Sequence, residues 1–263
     1  MMKKIMKTTI KTMLFLGSLF FLGNSYALGV SPIVIQSDAT NEGVSGVITV
    51  TNAESTEQEA KLYSMPFTYN DKGFEALKSS PNDLSSYLVF SPKSVTLKPN
   101  ESRQIRFNAR FLPSTAAGEY RAMVFVEQAA AEKSAGSATS IIPRIGSAIY
   151  VRVGGVKAEL AVQSTSYKDK KVLLAVTNAG KASARPRMEW TLEQAGKTVA
   201  TNAAHKTAFD AITVIAEGKR TIELNDDALS KLAAGNYQLI GTLFWGEHDE
   251  NTLKFDQPLV VGH

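Results

Sequence analysis

A phosphate-binding loop is the first chemistry that the residue types of this chain suggest. Gly196, Lys197 and Thr198 match the end of the glycine-rich loop that cradles nucleotide phosphates. That loop also needs a glycine five residues before Gly196, where this chain has Thr191. The segment follows a strand-like run and opens no helical pattern, so a hairpin turn is the better prediction.

Metal binding and nucleophilic catalysis also lack suitable residues. The three histidines, His205, His248 and His263, are far apart, and solvated loop positions explain them better than a metal pair does. The chain has no cysteine, which excludes thiol catalysis, thiolate metal ligands and disulfides. No serine lies in a Gly-x-Ser-x-Gly elbow, and no carboxylate pair has a spacing suited to acid–base chemistry. We therefore predict that the protein is not an enzyme and needs no cofactor.

The first 27 residues have the pattern of a cleaved signal peptide. Four lysines precede an apolar run from Met13 to Gly23, and Ser25-Tyr26-Ala27 places small residues where signal peptidase reads them. The run is shorter than the roughly 20 residues that a membrane-spanning helix needs, although an uncleaved anchor is the alternative. We predict cleavage after Ala27 and export of the mature chain.

The predicted leader also carries the excess charge of the chain. It holds four of the 29 basic residues and none of the 25 acidic ones, so the mature chain has a net charge of zero. This balance does not support sequence-independent binding of nucleic acid.

A repeated motif divides the mature chain into two similar halves. Ala116 to Glu127 begins Ala-Ala-Gly-Glu-Tyr, and Ala233 to Glu247 begins Ala-Ala-Gly-Asn-Tyr. Val-Thr-Asn-Ala also occurs upstream of both, at Val50 to Ala53 and at Val176 to Ala179. A tyrosine that opens a run of β-branched and aromatic residues is typical of the penultimate strand of an immunoglobulin-like sandwich. The repeat therefore predicts two tandem domains of one architecture.

The fold class predicted from these patterns is all-β, with two tandem immunoglobulin-like sandwiches at residues 28–153 and 154–263. Gly154-Gly155 is the expected hinge between them. Tyr120 and Tyr237 are predicted to latch a corner through their hydroxyls, and Trp190 to lie in the core.

Arginines near the end of the first half could line a basic strip: Arg103, Arg106, Arg110 and Arg121. Arg103 and Arg106 fall on opposite faces of a strand, which favours an ordinary solvated surface over a designed patch.

The first half ends with a loop that lacks core residues, followed by an alternating apolar strand. Gln128 to Ser140 is small and polar, so we expect it to be mobile. Ile141 and Ile145 share one strand face with Ile149 and with two later valines. Closure of the domain's own core explains the later residues, whereas for Thr139 to Ile145 binding of a partner is favoured over closure.

Together these features resemble the periplasmic chaperones of the chaperone-usher pilus pathway. The resemblance covers nearly all of the mature sequence and is strongest over Ser91 to Phe107, Gly118 to Glu127 and Ile145 to Arg152. It implies an ATP-independent periplasmic protein that completes a pilus subunit by lending it a strand, known as donor-strand complementation. It also implies that the partners are secreted pilin-like subunits and an outer-membrane usher, that the membrane is reached only through the usher, and that the free protein could self-associate.

By this resemblance, the lending face would consist of Thr139, Ile141, Pro143 and Ile145. The chain departs from the family at two positions, because its first strand has no basic residue and Ala148 stands where the family has lysine. In the family these two residues grip the carboxylate terminus of the subunit. Arg144 is the candidate substitute, with a solvent-facing edge arginine as the alternative.

The missing basic pair keeps a second functional hypothesis open. A non-enzymatic, two-domain envelope binding or adhesion module without a client would need neither residue.

Overall fold

The structure is a computed structural model that describes residues 28–40, 42–70, 73–129, 142–202, 212–224 and 226–262. Across these ranges the chain forms eighteen strands and a single turn of 3-10 helix at Leu229–Lys231. The described residues contain no helix of the length and apolar character needed to cross a membrane. The predicted signal peptide lies outside them.

The N-terminal half contains eleven strands, nine of which build the two sheets of a sandwich. They are β1 (Leu28–Ser31), β2 (Val34–Asp38), β3 (Val44–Asn52), β4 (Gln58–Met65), β5 (Phe67–Asn70), β6 (Gly73–Ala76), β7 (Leu88–Ser91), β8 (Ser94–Leu97), β9 (Ser102–Ala109), β10 (Gly118–Gln128) and β11 (Arg144–Val153). One sheet has the order β1, β3, β9, β7, and the facing sheet has the order β2, β11, β10, β4, β8. Strands β5 and β6 form a separate hairpin.

The alternation of apolar residues places the core between the two sheets. Ile48 and Ile105 from one sheet and Val124 and Ile149 from the other are fully buried in a single cluster. Burial of one such side chain contributes about 1.5–3 kcal/mol to folding.

The first strand of the sandwich changes sheets at a proline. β1 pairs antiparallel with β3, whereas β2 pairs parallel with β11. Pro32 lies between them, where its missing N–H costs no hydrogen bond of either ladder. The alternation from Leu28 to Gln36 alone predicts one strand with Pro32 at an edge or bulge, whereas the structure has two short strands.

Seven strands build the C-terminal sandwich. They are β12 (Leu160–Lys168), β13 (Lys171–Asn178), β14 (Arg187–Gln194), β15 (Lys197–Thr201), β16 (Gly218–Leu224), β17 (Gly235–Trp245) and β18 (Asn251–Val261). The sheet orders are β12, β13, β16 and β15, β14, β17, β18. Trp190 is 2% exposed within this core. The predicted turn at Gly196 is the β14–β15 hairpin, where Ala195 and Gly196 have φ angles of 49° and 74°.

The repeated sequence motifs perform the same tasks in both sandwiches. Asn52 is fully buried, and its amide nitrogen donates to the carbonyls of residues 56, 97 and 98 at 2.8–3.1 Å. Asn178 donates in the same way to the carbonyls of residues 182, 214 and 215. The Tyr120 hydroxyl donates to the carbonyl four residues before it at 3.1 Å, and the Tyr237 hydroxyl does so at 2.8 Å.

Two consecutive glycines connect the sandwiches. Gly154 and Gly155 have φ angles of +79° and +66°, which other residues adopt only with strain. A Cβ atom on Gly154 would lie 2.7 Å from the Cβ atom of Ala117. The connection is therefore tight as well as left-handed.

Candidate partner-binding edge and domain junction

Strand β11 is paired along its whole length on one side and along only half of it on the other. It pairs with β10 from Arg144 to Val153. On the opposite side β2 pairs with Ala148 to Arg152, and the last backbone bond runs from Ala148 N to Ile33 O at 2.8 Å. Among the described residues, no strand pairs with Arg144 to Ser147 on that side. This open edge lies where the chain emerges from the segment that was predicted to lend a strand.

The structure describes only part of the predicted lending face. Ile145 is half-buried and packs against the N-terminal core, so its side chain lies at the end of that core. Pro143 is half-buried immediately before β11. Thr139 and Ile141 lie outside the described residues. Their predicted contact with a subunit stays a prediction.

The face of β10 and β11 that points away from the core has three zones. Its side chains come from Glu119, Arg121, Met123, Phe125 and Glu127 on β10, and from Arg144, Gly146, Ala148, Tyr150 and Arg152 on β11. The register puts charged residues at both ends and apolar residues in the middle. We call this surface the second face of the sheet.

The middle of the second face is apolar and covered. Met123, Phe125, Ala148 and Tyr150 are all buried, in a cluster with Phe67 of the β5–β6 hairpin. A Cβ atom at residue 146 would lie 2.5 Å from the Met123 sulfur, so glycine there lets the methionine lie flat. Ala148 therefore has apolar surroundings, whereas the family that the sequence resembles has lysine at this position.

Arg144 occupies the end of the second face next to the open edge. Its guanidinium lies 4.6 Å from the centre of the Phe125 ring, and Nη1 donates to the Tyr63 hydroxyl at 3.3 Å. That hydroxyl donates to the Glu127 carboxylate at 2.8 Å. Burial is the main cause that raises the pKa of Tyr63, so the phenol stays a donor at neutral pH. Arg144 is exposed and is held by neighbours on its own sheet.

The opposite end of the second face joins the two sandwiches through a buried carboxylate. Glu119 is fully buried, and its Oε2 accepts from the Ser183 backbone N–H at 2.8 Å. The Ser183 hydroxyl also donates to this carboxylate. On the N-terminal side, Arg121 Nη1 lies 3.4 Å and Arg152 Nε 3.9 Å from it. A buried carboxylate needs such compensation, because desolvation alone would be costly.

The prediction that Arg121 belongs to a solvated surface is wrong. Arg103, Arg106 and Arg110 are exposed, whereas Arg121 is 9% exposed. Its Nη1 lies 3.4 Å from Glu119, the carboxylate that is bonded to Ser183 of the C-terminal sandwich. In the described part of the chain, the Nε–H groups of Arg121 and Arg152 are buried and have no hydrogen-bond acceptor.

The C-terminal sandwich adds two arginines to this junction. The Arg185 guanidinium lies 5.7 Å from the centre of the Tyr150 ring, and that of Arg220 lies 5.8 Å from the centre of the Tyr69 ring. Arg220 Nη1 also donates to the backbone carbonyl of Asn70. Burial strongly raises the pKa of the Tyr150 phenol, whose hydroxyl forms a hydrogen bond with the Thr213 side chain. These tyrosine–arginine contacts thus add to the Glu119–Ser183 bonds between the sandwiches.

Sequence reasoning missed Glu119, Ser183, Arg185 and Arg220. The sequence contains one indication for Glu119. The two copies of the motif differ at this position, with Glu119 in the first copy and Asn236 in the second. No comparable local signal identifies the three residues of the C-terminal sandwich. Ser183 and Arg185 meet the second face, and Arg220 meets the β5–β6 hairpin, only through long-range packing.

Comparison with known proteins gives a structural likeness alone. No family model matches the chain, and no curated protein matches its sequence. The crystal structure of the class 5 fimbriae chaperone CfaA is 16% identical, with a TM-score of 0.51 over 88% of this chain and 99% of that one.

Two complexes are also similar. One is the CsuC–CsuE chaperone–tip adhesion subunit complex of archaic Csu pili from Acinetobacter baumannii, at 12% identity and a TM-score of 0.49 over 89% of this chain and 100% of that one. The other is the Salmonella enterica SafA pilin with the SafB chaperone, at 13% identity and a TM-score of 0.49 over 90% and 97%. The CfaA likeness confirms the predicted fold class, so the chain has the fold of a fimbrial chaperone, with two tandem immunoglobulin-like sandwiches.

Proposed function

We propose that the protein is an ATP-independent periplasmic chaperone that caps pilus or other surface-fibre subunits by donor-strand complementation. The observation that carries this proposal is the open edge of β11 at Arg144 to Ser147. Backbone N–H and C=O groups on such an edge are free to pair with a strand of another chain. The chaperone fold supports the same function, and the predicted signal peptide accounts for export to the periplasm.

The side chains along this edge suit a client that lacks part of its own core. Ile145 lies on the core face of β11, in line with the fully buried Ile149 and Val151. A subunit docked beyond the end of this core would receive Ile145, and Ile141 and Thr139 after it, as a continuation of the apolar row. Pro143 removes one N–H from the ladder, so the client must pair around that position.

Arg144 is the proposed contact for the terminal carboxylate of the client. It is exposed, lies on the open edge and offers a planar pair of donors that suits a carboxylate. Arg152 is a second candidate, at the junction, with a side chain that is 29% exposed. The two lie roughly 26 Å apart along the strand at about 3.3 Å per residue, so they predict different docking positions.

The test is capture of a secreted β-rich subunit co-expressed in the periplasm. Ile145→Asp should abolish co-purification, because it puts a charge into the apolar row that the client must bury. Val260→Asp is the matched control, since Val260 is 67% exposed on the C-terminal sandwich. Circular dichroism melting of both variants establishes that they are folded.

Two outcomes would contradict the proposal. If folded Ile145→Asp captured the subunit as well as the Val260→Asp control did, the open edge would not be the binding element. If no subunit co-purified and the protein instead bound carbohydrate or cell wall, the adhesion module would be the better description. Capture that is lost in Arg144→Ala but kept in Arg103→Ala would assign the carboxylate contact.

A further inference from the structure

The β5–β6 hairpin stands outside both sheets of the N-terminal sandwich. The ladder between β4 and β10 ends at Met65, and Pro66 follows without an N–H. Within the described residues β5 and β6 pair only with each other, over four residue pairs, and Leu77 N donates to Pro66 O at the base. A two-stranded hairpin alone is marginal in water, so side chains must hold it in place.

The hairpin covers the apolar middle of the second face. Phe67 is 1% exposed and meets the Tyr150 ring edge to face, with centroids 5.6 Å apart. Phe74 meets the Phe125 ring at 6.1 Å in the same manner. We call the residues underneath, Met123, Phe125, Ala148 and Tyr150, the covered patch. Ring contacts of this kind hold the hairpin without backbone bonds to the sheet.

The covered patch is continuous with the open edge of β11. Phe125 is the register partner of Gly146, and Met123 is the partner of Ala148. Gly146 belongs to the open edge, and Ala148 is where β2 begins to pair. Lifting the hairpin would therefore create one apolar surface that runs from the patch to the edge.

Arg220 of the C-terminal sandwich holds the outer end of the hairpin. Its guanidinium donates to the Asn70 carbonyl, next to the hairpin turn, and lies over the Tyr69 ring. Phe74, on the returning strand, is 41% exposed. The described part of the hairpin is thus held to the opposite sandwich through Arg220 and has one partly open side, as expected of a displaceable cover.

We propose that the β5–β6 hairpin is a displaceable cover, latched by Arg220, and that an apolar segment of a client takes its place on the covered patch. In the free protein the cover keeps four apolar side chains from water beside an unpaired edge. A client strand docked on that edge offers apolar side chains that can replace the contacts of Phe67 and Phe74. The identity of the occupant rests on the proposed function, whereas the latch is a property of the free chain.

Hydrogen exchange of the free protein tests the latch. Arg220→Ala should speed exchange of the Thr68 and Glu75 amides on the order of tenfold, because a charged hydrogen bond and a ring contact are lost. Exchange in β3 and β9 should not change. Lys219→Ala, an exposed neighbour on the same strand, is the matched control. Unchanged exchange in the hairpin, or an equal rise throughout the sandwich, would overturn the latch.

Hydrogen exchange in the chaperone–subunit complex tests whether a client segment replaces the hairpin on the covered patch. The hairpin amides should lose protection when the subunit binds, and Arg220→Ala should capture the subunit faster than the wild type. A complex in which the hairpin keeps or gains protection would overturn the displacement. Ile145→Asp separates the two proposals, because it should abolish capture and leave hairpin exchange as in the wild type. If neither the wild type nor Arg220→Ala captured a subunit, the proposed function would fail. Hairpin exchange in free Arg220→Ala would still decide whether Arg220 holds the hairpin.

Discussion

Strands β10 and β17 derive from the same sequence motif but differ on one face. Both begin with glycine, a polar residue and tyrosine, and both point alternate apolar residues into their own core. On the other face, β10 has Glu119, Arg121, Met123 and Phe125, all of which are buried. The equivalent residues of β17 are Asn236, Gln238, Ile240 and Thr242, which are exposed or half-buried.

The difference shows which part of the repeat builds the fold and which part is specialised. The core face and the corner tyrosine are kept in both sandwiches, because any such sandwich needs them. Among the described residues, the hairpin and the opposite sandwich cover this face of β10, whereas the corresponding face of β17 is exposed or half-buried. Residues at which the two copies differ are therefore the candidates for functional roles.

The largest contrast is expected between Glu119→Ala and Asn236→Ala. Removing Glu119 leaves the buried guanidinium of Arg121 and the half-buried guanidinium of Arg152 without their carboxylate, which should cost about 3–5 kcal/mol of unfolding free energy. Asn236 is exposed, so its replacement should cost less than about 0.5 kcal/mol. Urea unfolding followed by circular dichroism measures both. Equal losses would mean that the second faces of the two strands do not differ energetically.

The second contrast uses the buried asparagines of the two Val-Thr-Asn-Ala motifs. Asn52→Ala and Asn178→Ala each remove a buried side-chain amide that donates to three carbonyls, which should cost about 3 kcal/mol. Both tryptophans, Trp190 and Trp245, belong to the C-terminal sandwich. Tryptophan fluorescence should therefore detect the loss in Asn178→Ala more strongly than in Asn52→Ala. A larger fluorescence shift in Asn52→Ala would contradict the equivalence of the two motifs.

The smallest effect is expected at the two corner tyrosines. Tyr120→Phe and Tyr237→Phe each remove one hydrogen bond to a backbone carbonyl and should cost about 1 kcal/mol. The two losses should agree closely, because the bond spans four residues in each case. Thermal unfolding measures them, with each ring left in place as its own packing control. A clearly larger loss at Tyr120 would show that its hydroxyl has an additional role in the first sandwich.

Local features of the fold could be predicted from the sequence, because they depend on nearby residues. The repeated Asn and Tyr motifs, the core position of Trp190 and the turn near Gly196 all follow from periodicity and turn chemistry. The turn residues between Tyr69 and Phe74 also predict a hairpin, but nothing local shows that this hairpin lies outside the sheets. Pro32 was placed at an edge, but nothing local shows that the chain changes sheets there.

The junction could not be predicted, because its contacts join distant parts of the chain. Glu119 and Ser183 are 64 residues apart, and Arg220 is 150 residues from Asn70. Whether an arginine on a strand faces water or a second domain depends on how the domains pack, which explains the wrong prediction for Arg121. Loop composition and strand alternation lie next to each other in sequence, so the sequence could predict a partner-binding segment at Thr139 to Ile145, and that contact stays a prediction.

The Ser183 hydroxyl connects the domain junction to the segment before β16. It donates to Glu119 and accepts from the Ala216 backbone N–H at 3.1 Å, two residues before the strand that carries Arg220 begins. A chain of hydrogen bonds therefore runs from the buried Glu119 carboxylate to the segment that leads into β16, the strand that carries Arg220. Lifting the proposed cover would break the Arg220 contact and so remove a restraint from the segment that is bonded to Ser183 at the junction.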